Sequence, residues 1–554
     1  MSKKKKGKGG GFLIQGTILA AAGIITKIIG MIYRIPMLNI MGLEGQGYYS
    51  IAFQVYSLAL IISSYSLPLA VSKLVSARVA KGEHTNAFRV FKAAMLFAFV
   101  VGGFVSLVII FGGQGIATYV MGSAASVYAL QVLAPGLLIV SIMGVFRGYF
   151  QGLGTMIPTA ISQILEQVVN AIVSVVGASV LLGYGEKMAQ AKGNAVLGPA
   201  YAAAGGTLGT VVGALIGLLF LLMCYAAYSK VMNRKIKADT VSRQEEYRHI
   251  FKIMLLTIAP VLLSTTVYNI GNIIGSSMFN NLSISQGMTP DVAAEQLGKL
   301  DQYYTLFNVP LAVANSLGAS MMPALVSACE SRDKKFVHNR IYISIRFTML
   351  IAIPSAFGFF ALGKPIMDLI WPSLENSMQG NMMRMGAISL VLYSLSTVTN
   401  AVLQGLSHMM KPVKNAAISQ VMHTIALFVM VVVFKWGVYS LIGCKIVFSI
   451  FMCILNSRDI TKVIGYKQEK QRTFIIPTMA GAIMGVFAFG THFVLDTLIG
   501  GSLATVAAIG VAVVVYLISL LKLGGLTEDE LVEMPKGTTL LRLFKKLHLM
   551  KVTR

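Results

Sequence analysis

Gln151-Gly152-Leu153, followed by Pro158 and Ile161-Ser162-Gln163, returns later in the chain as Gln404-Gly405-Leu406, Pro412 and Ile418-Ser419-Gln420. A second echo runs in register with it: Tyr48-Tyr49 before Leu74-Val75-Ser76-Ala77 matches Tyr303-Tyr304 before Leu325-Val326-Ser327-Ala328. Two copies of one unit are therefore expected. Both copies lie in a chain rich in apolar stretches of membrane-spanning length, and a duplicated helical membrane unit suits transport, since two similar halves can rock about a site held between them.

Composition points the same way. Of 554 residues, 56% are hydrophobic and only 12% charged, with a mean hydropathy of +0.74. A soluble domain of ordinary type is excluded. The net charge of +25 would suggest nucleic acid in a soluble protein, but here the basic residues fall in short links between apolar stretches, so no nucleic-acid partner is expected. Cys224, Cys329, Cys444 and Cys453 have neither metal-ligand spacing nor a place in external loops, and read as small apolar residues. The opening Lys3-Lys4-Lys5-Lys6-Gly7-Lys8 resembles the start of a signal peptide, yet the apolar run from Phe12 past Ile32 is too long for one. It is expected to remain as the first span.

Stretches of about 20 apolar residues, enough to cross about 30 Å of hydrocarbon, centre near Ile24, Leu60, Val101, Leu138, Val169, Leu215, Val267, Val313, Leu350, Leu390, Ile425, Val447, Met484 and Val511. The predicted fold is an all-α membrane protein with fourteen transmembrane helices. Basic residues concentrate in alternate links, which places both termini in the cytoplasm. The expected organisation is a basic cytoplasmic N-terminus (1–11), a first six-span unit (12–228), a cytoplasmic linker (229–249), a second six-span unit (250–456), two further spans (473–523) and a cytoplasmic tail (524–554). In the tail, Leu540, Leu543, Phe544, Leu547 and Met550 recur at helical spacing with Arg542, Lys545, Lys546 and Lys551 between them. That pattern suits a basic amphipathic helix on the anionic lipids of the inner leaflet, or simply a solvated tail.

Charges inside spans cost on the order of 3 kcal/mol each at a helix centre, so they mark function or tight pairing. Lys27 and Arg34 lie two turns apart on one face of the first span and could attract an anionic headgroup, Arg34 with a fork that suits phosphate. The competing expectation for Arg34 is that it snorkels to the surface before Pro36. Glu166 reads as the one carboxylate well inside a span, in a stripe with Thr159, Gln163, Asn170 and Ser174. It could couple proton or cation movement to transport, pair with Lys27, or fix helix packing. His423 occupies the matching place in the second copy and could titrate near neutral pH. Lys445 is a charge within the twelfth span. Thr265, Asn269, Asn272 and Ser276 make a stripe on the seventh span suited to helix-to-helix hydrogen bonding or to substrate. Tyr304 and Asn308 near the eighth could meet substrate sugars or anchor at the interface.

Enzyme signatures are missing. Gly358 to Gly363-Lys364 fits part of a phosphate loop, but Pro365 stands where Ser or Thr is required. No metal or cofactor is expected, and the energy must come from H+ or Na+ gradients or the membrane potential.

Arg147-Gly148-Tyr149-Phe150-Gln151-Gly152, Pro158-Thr159-Ala160-Ile161-Ser162-Gln163 and Glu166-Gln167, with Pro68 to Ser72-Lys73-Leu74-Val75-Ser76, resemble the polysaccharide-biosynthesis flippases of Gram-positive bacteria. These belong to the multidrug/oligosaccharidyl-lipid/polysaccharide exporter superfamily, which holds the MurJ-type lipid II flippases and the SpoVB- and YtgP-like proteins. The resemblance implies two pseudo-symmetric six-helix lobes in a V, alternating access, and outward movement of an undecaprenyl-pyrophosphate-linked saccharide across the bacterial cytoplasmic membrane by a monomer. It also implies that Lys27 and Arg34 match the basic residues of the first span that bind pyrophosphate. The sequence departs from the pattern at Thr305, where a basic residue is expected, near Gly47, where an acidic one is, and in the eleventh span, which has no carboxylate. A drug/cation antiporter of the same fold and a non-transporting cell-wall assembly factor are the alternatives.

Overall fold

The computed structural model describes residues 8–239, 243–330, 334–372, 374–406, 408 and 410–526. The amphipathic tail expected around Leu540 to Met550 and the opening lysines lie outside them. Among the described residues the secondary structure is helical throughout: α1 (Lys8–Leu60), α2 (Leu67–Ala80), α3 (His84–Gly115), α4 (Val127–Gly152), α5 (Ile157–Lys192), α6 (Leu197–Lys237), α7 (Tyr247–Ser285), α8 (Pro290–Glu330), α9 (Lys334–Ile370), α10 (Ser377–Gly405), α11 (Met410–Phe428), α12 (Tyr439–Ile464), α13 (Ile476–Ile499) and α14 (Gly501–Lys522). Eleven stretches of the described residues are long and apolar enough to cross a membrane, one of them running from Ile25 to Ala80. This is a multi-pass membrane protein.

α1 is two helices joined at Gly42, whose φ of 66° and ψ of 178° no helical residue adopts. An L side chain is strained there, and glycine is the residue that lets the chain turn. The duplicated signature falls at matching places. Gln151-Gly152-Leu153 ends α4 and Pro158 starts α5, while Gln404-Gly405-Leu406 ends α10 and Pro412 stands in the first turn of α11. Proline is tolerated there because first-turn N–H groups have no intrahelical partner.

The chain forms two compact units, 1–301 and 302–554, with the boundary inside α8. In the first, Phe91 of α3 meets Phe146 and Tyr149 of α4 and Tyr225 of α6, with ring centroids 4.6 to 5.5 Å apart. In the second, α13 and α14 pack on α9 around Leu350, Met484, Ala508 and Tyr516. Apolar side chains also face outward: Phe111 is 82% exposed and Val486 72%. Outward apolar surface on this scale needs lipid rather than water around it.

α6 continues to Lys237, past the point where the sequence suggested a linker, and its last turns carry Arg234, Lys235 and Lys237, favourable at a helix C-terminus. The short connection to α7 is bound to the α2–α3 turn. Arg78, buried, forms an ion pair with Glu245 through both carboxylate oxygens, Nε to Oε1 at 3.0 Å. Arg89 donates to the Glu245 carbonyl at 2.8 Å, and the Glu245 N–H donates to Asn86 at 2.9 Å. So basic residues that mark topology also clamp the connection. Arg78→Ala is expected to destabilise the protein by about 2 kcal/mol, because it strands Glu245 half-buried. The check is a lower melting temperature in detergent with faster proteolysis within 238–246.

The start of the π-helical turn before α13 is capped by Glu469, which accepts from the N–H of Arg472 at 2.8 Å and from the N–H and hydroxyl of Thr473 at 2.9 Å each. Burial pushes this carboxyl up and these hydrogen bonds pull it down further, leaving it below the ordinary value of 4.5. A lowered carboxylate contributes stability that is complete above the ordinary value and lost as pH falls through the folded one. Amide protection at Arg472 and Thr473, corrected for intrinsic exchange, should therefore drop as pH falls below the ordinary carboxylate value, and Glu469→Gln should abolish that dependence.

Candidate functional site

In a straight helix Arg34 and Tyr49 would be about 22 Å apart. The turn at Gly42 instead brings the Arg34 guanidinium to 5.9 Å from the centre of the Tyr49 ring, where it also hydrogen-bonds the tyrosine. The charge beside it is Asp301 of α8, whose carboxylate accepts from Ser50. Next to Arg34, the buried Tyr33 accepts from Asn170 Nδ2 of α5 at 3.2 Å and hydrogen-bonds Gln167. The first unit thus holds Arg34 in a network of Tyr33, Tyr49, Ser50, Asn170 and Asp301. Arg34 does not snorkel to a surface; it is half-buried and charge-paired. Two turns earlier Lys27 is exposed, with no ion-pair partner among the described residues.

Two helices make this close approach possible. A Cβ at Gly47 would lie 1.9 Å from the Ala294 carbonyl oxygen, and one at Gly298 would lie 2.1 Å from that of Leu43. The second half of α1 and the start of α8 therefore touch backbone to backbone, one turn before Asp301. Tyr48 donates to Asp291 across the same crossing at 3.1 Å.

Glu166 does not pair with Lys27. Its partner is Arg147 of α4, Nη2 to Oε2 at 2.7 Å, and Arg147 Nε donates to Ser162 at 3.0 Å. α4 extends to Gly152 and carries the arginine against α5. Gln163 is half-buried on the same helix, and Asn170 is tied to Ser174 at 2.9 Å as well as to Tyr33. On α7, Asn269 donates to the Thr265 carbonyl at 2.8 Å, Asn272 is exposed, and one turn beyond Ser276 Asn280 donates to the Met121 carbonyl at 2.8 Å.

In the second unit Tyr304 is half-buried beneath Lys445, Nζ to ring centre 4.2 Å, and Asn308 is exposed one turn on. His423 is buried, with Nε2 3.5 Å from Cys444 Sγ and its ring edge-on to Phe448. Asn415 donates to Asn456 at 3.0 Å and to Asp459 at 2.9 Å, and Lys411 stands 3.9 Å from Asp459. Among the described residues there is no group of three or more His, Cys, Asp or Glu that could hold a metal ion.

Asp301 is the residue that sequence reasoning missed. Asp301, Tyr304 and Asn308 share one helical face, a spacing that places it on the same span as the two polar residues singled out from the sequence.

A family model described as polysaccharide biosynthesis protein matches residues 13–329, more than half of the chain. The chain belongs to that family. Over 540 residues it is 26% identical to stage V sporulation protein B of Bacillus subtilis, covering 94% of this chain and 97% of that protein. Over 407 residues it is 25% identical to lipid II flippase MurJ of the same organism, covering 71% and 73%. Among solved structures, lipid II flippase MurJ in an inward closed conformation superposes with a TM-score of 0.64 at 12% identity, over 91% of this chain and 98% of that one. An inward-facing multidrug resistance MATE family transporter of the MOP superfamily does so with 0.58 at 16%, over 78% and 98%. This polysaccharide biosynthesis family member therefore shares the fold of MurJ-type and MATE proteins.

Proposed function

We propose that this protein is an alternating-access flippase that moves an undecaprenyl-pyrophosphate-linked saccharide of the lipid II class from the inner to the outer leaflet of the bacterial cytoplasmic membrane. In this reading the chain crosses fourteen times with both termini in the cytoplasm. The observation that carries it is Lys27, an exposed ammonium within the apolar first span that no ion pair neutralises among the described residues. In this reading it faces water, since facing acyl chains would cost on the order of 3 kcal/mol, and there it offers an anion a partner that no carboxylate already occupies. Arg34 stands two turns along the same helix face. The relatives' names support the cargo, one of them being a lipid II flippase. Outward movement of an anion from a negative interior releases about 2.3 kcal/mol per charge per 100 mV, so a doubly charged headgroup can be driven by voltage alone. H+ or Na+ would otherwise be the coupling ion, with Glu166 and His423 the candidate carriers.

A MATE-like drug antiporter is the second reading, favoured by the fold likeness. Cationic drugs need a net acidic site, and Arg147 already neutralises Glu166. In proteoliposomes carrying lipid II and a membrane potential, headgroup exposure should fall at least about tenfold in Lys27→Ala. Unchanged export in Lys27→Ala/Arg34→Ala sinks the flippase reading, and drug efflux lost in Glu166→Gln would replace it.

A further inference from the structure

We infer that Lys445, held by the rings of Tyr304, Phe307 and Tyr393, is a binding site in the second unit for an oxyanion of the carried lipid's headgroup, with the two tyrosines bearing on its sugar. This rests on the flippase reading and adds a recognition element to it.

The ammonium of Lys445 lies over three rings, at 4.2 Å from Tyr304, 4.9 Å from Tyr393 and 5.1 Å from Phe307. It sits in the first turns of α12, inside a stretch apolar enough to span a membrane. Ring faces attract a cation but accept none of the three N–H bonds that an ammonium offers. Two other cations in such helices have counter-charges: Arg34 has Asp301 and Arg147 has Glu166. Lys445 has no ion pair and no side-chain hydrogen bond among the described residues. The neighbouring His423, 3.5 Å from Cys444, bears no negative charge and so supplies no counter-charge. The rings thus hold the ammonium in place while its hydrogen-bonding capacity stays unspent.

The cage is also pre-built. Phe307 is fully buried and forms its floor. Tyr303, beside it in α8, is fully buried against α10 so closely that a Cβ at Gly386 would lie 2.1 Å from its hydroxyl. Lys445, Tyr304 and Tyr393 are each half-buried, so part of each side chain stays exposed. A fixed cation beside accessible aromatic faces suits a sugar with an acidic group: the rings meet the apolar face of a pyranose, and the ammonium takes a carboxylate or phosphate oxygen.

The test is binding by the full-length protein in nanodiscs to three probes: undecaprenyl pyrophosphate, its conjugate with a neutral disaccharide, and its conjugate with a carboxylate-bearing saccharide. Lys445→Met should weaken the carboxylate-bearing lipid about tenfold relative to the neutral one, which places the oxyanion on the headgroup. A matching loss on all three probes places it on the diphosphate, provided that Lys445→Arg restores affinity to within about threefold; failure of arginine to restore it overturns the site. Lys445→Met binding all three probes as the wild type does also overturns it. Wild-type protein that binds none of them removes the flippase reading itself.

Discussion

Gly298→Ala is expected to lower the melting temperature in detergent sharply and to abolish lipid export, although it adds a single methyl group and favours helix by about 1 kcal/mol. The new Cβ would lie 2.1 Å from the Leu43 carbonyl oxygen and 3.1 Å from the Gly47 nitrogen. Both are backbone atoms, and a Cβ has no rotamer by which to avoid them, so the helices must part. Overpacking of this kind costs about 1–3 kcal/mol and more where nothing can yield. Gly47→Ala should match it, since its Cβ would lie 1.9 Å from the Ala294 oxygen. Ala294 and Gly298 are four apart, the small-residue spacing by which membrane helices approach closely. The controls are Gly103→Ala and Gly510→Ala, where a Cβ meets nothing within 4 Å. If Gly298→Ala melts with these controls, the α1–α8 crossing is looser than described.

How much of this was visible in the sequence depends on whether a feature is local. The helices followed from apolar length, and the repeated Gln-Gly-Leu and proline landed on the same helix ends in both copies because caps and first turns are set by nearby residues. The stripe of Gln163, Glu166 and Asn170 was legible from spacing along α5. Partners were not. No spacing rule names the partner of Arg147, and only packing of α4 on α5 makes it Glu166. Asp301 is far from Arg34 in the sequence, and only the turn at Gly42 with the Gly47–Gly298 crossing puts it beside that arginine. Lys445 stood out as a charge in a span, but its three rings come from α8 and α10, too far along the chain for a spacing rule to connect them. Tertiary contact, not periodicity, decides what each buried charge meets.

That distinction gives the last prediction its form. Arg34→Leu alone leaves the Asp301 carboxylate without its counter-charge, and Asp301→Leu alone does the same to Arg34; removing one member of a half-buried pair costs about 2 kcal/mol. Replacing both with leucine removes the desolvation problem together with the pair, and such replacements are often neutral or stabilising. The double variant Arg34→Leu/Asp301→Leu should therefore melt close to the wild type while each single variant melts well below it. Export should not recover with stability. If Arg34 meets the diphosphate, the double variant folds and stays inactive in the proteoliposome assay, because leucine offers no donor to an anion. If the pair is only structural, restoring stability restores transport, and Arg34 leaves the binding site. Thermal melting and flux on the same three variants separate the two roles, since one follows charge balance and the other follows the presence of the guanidinium.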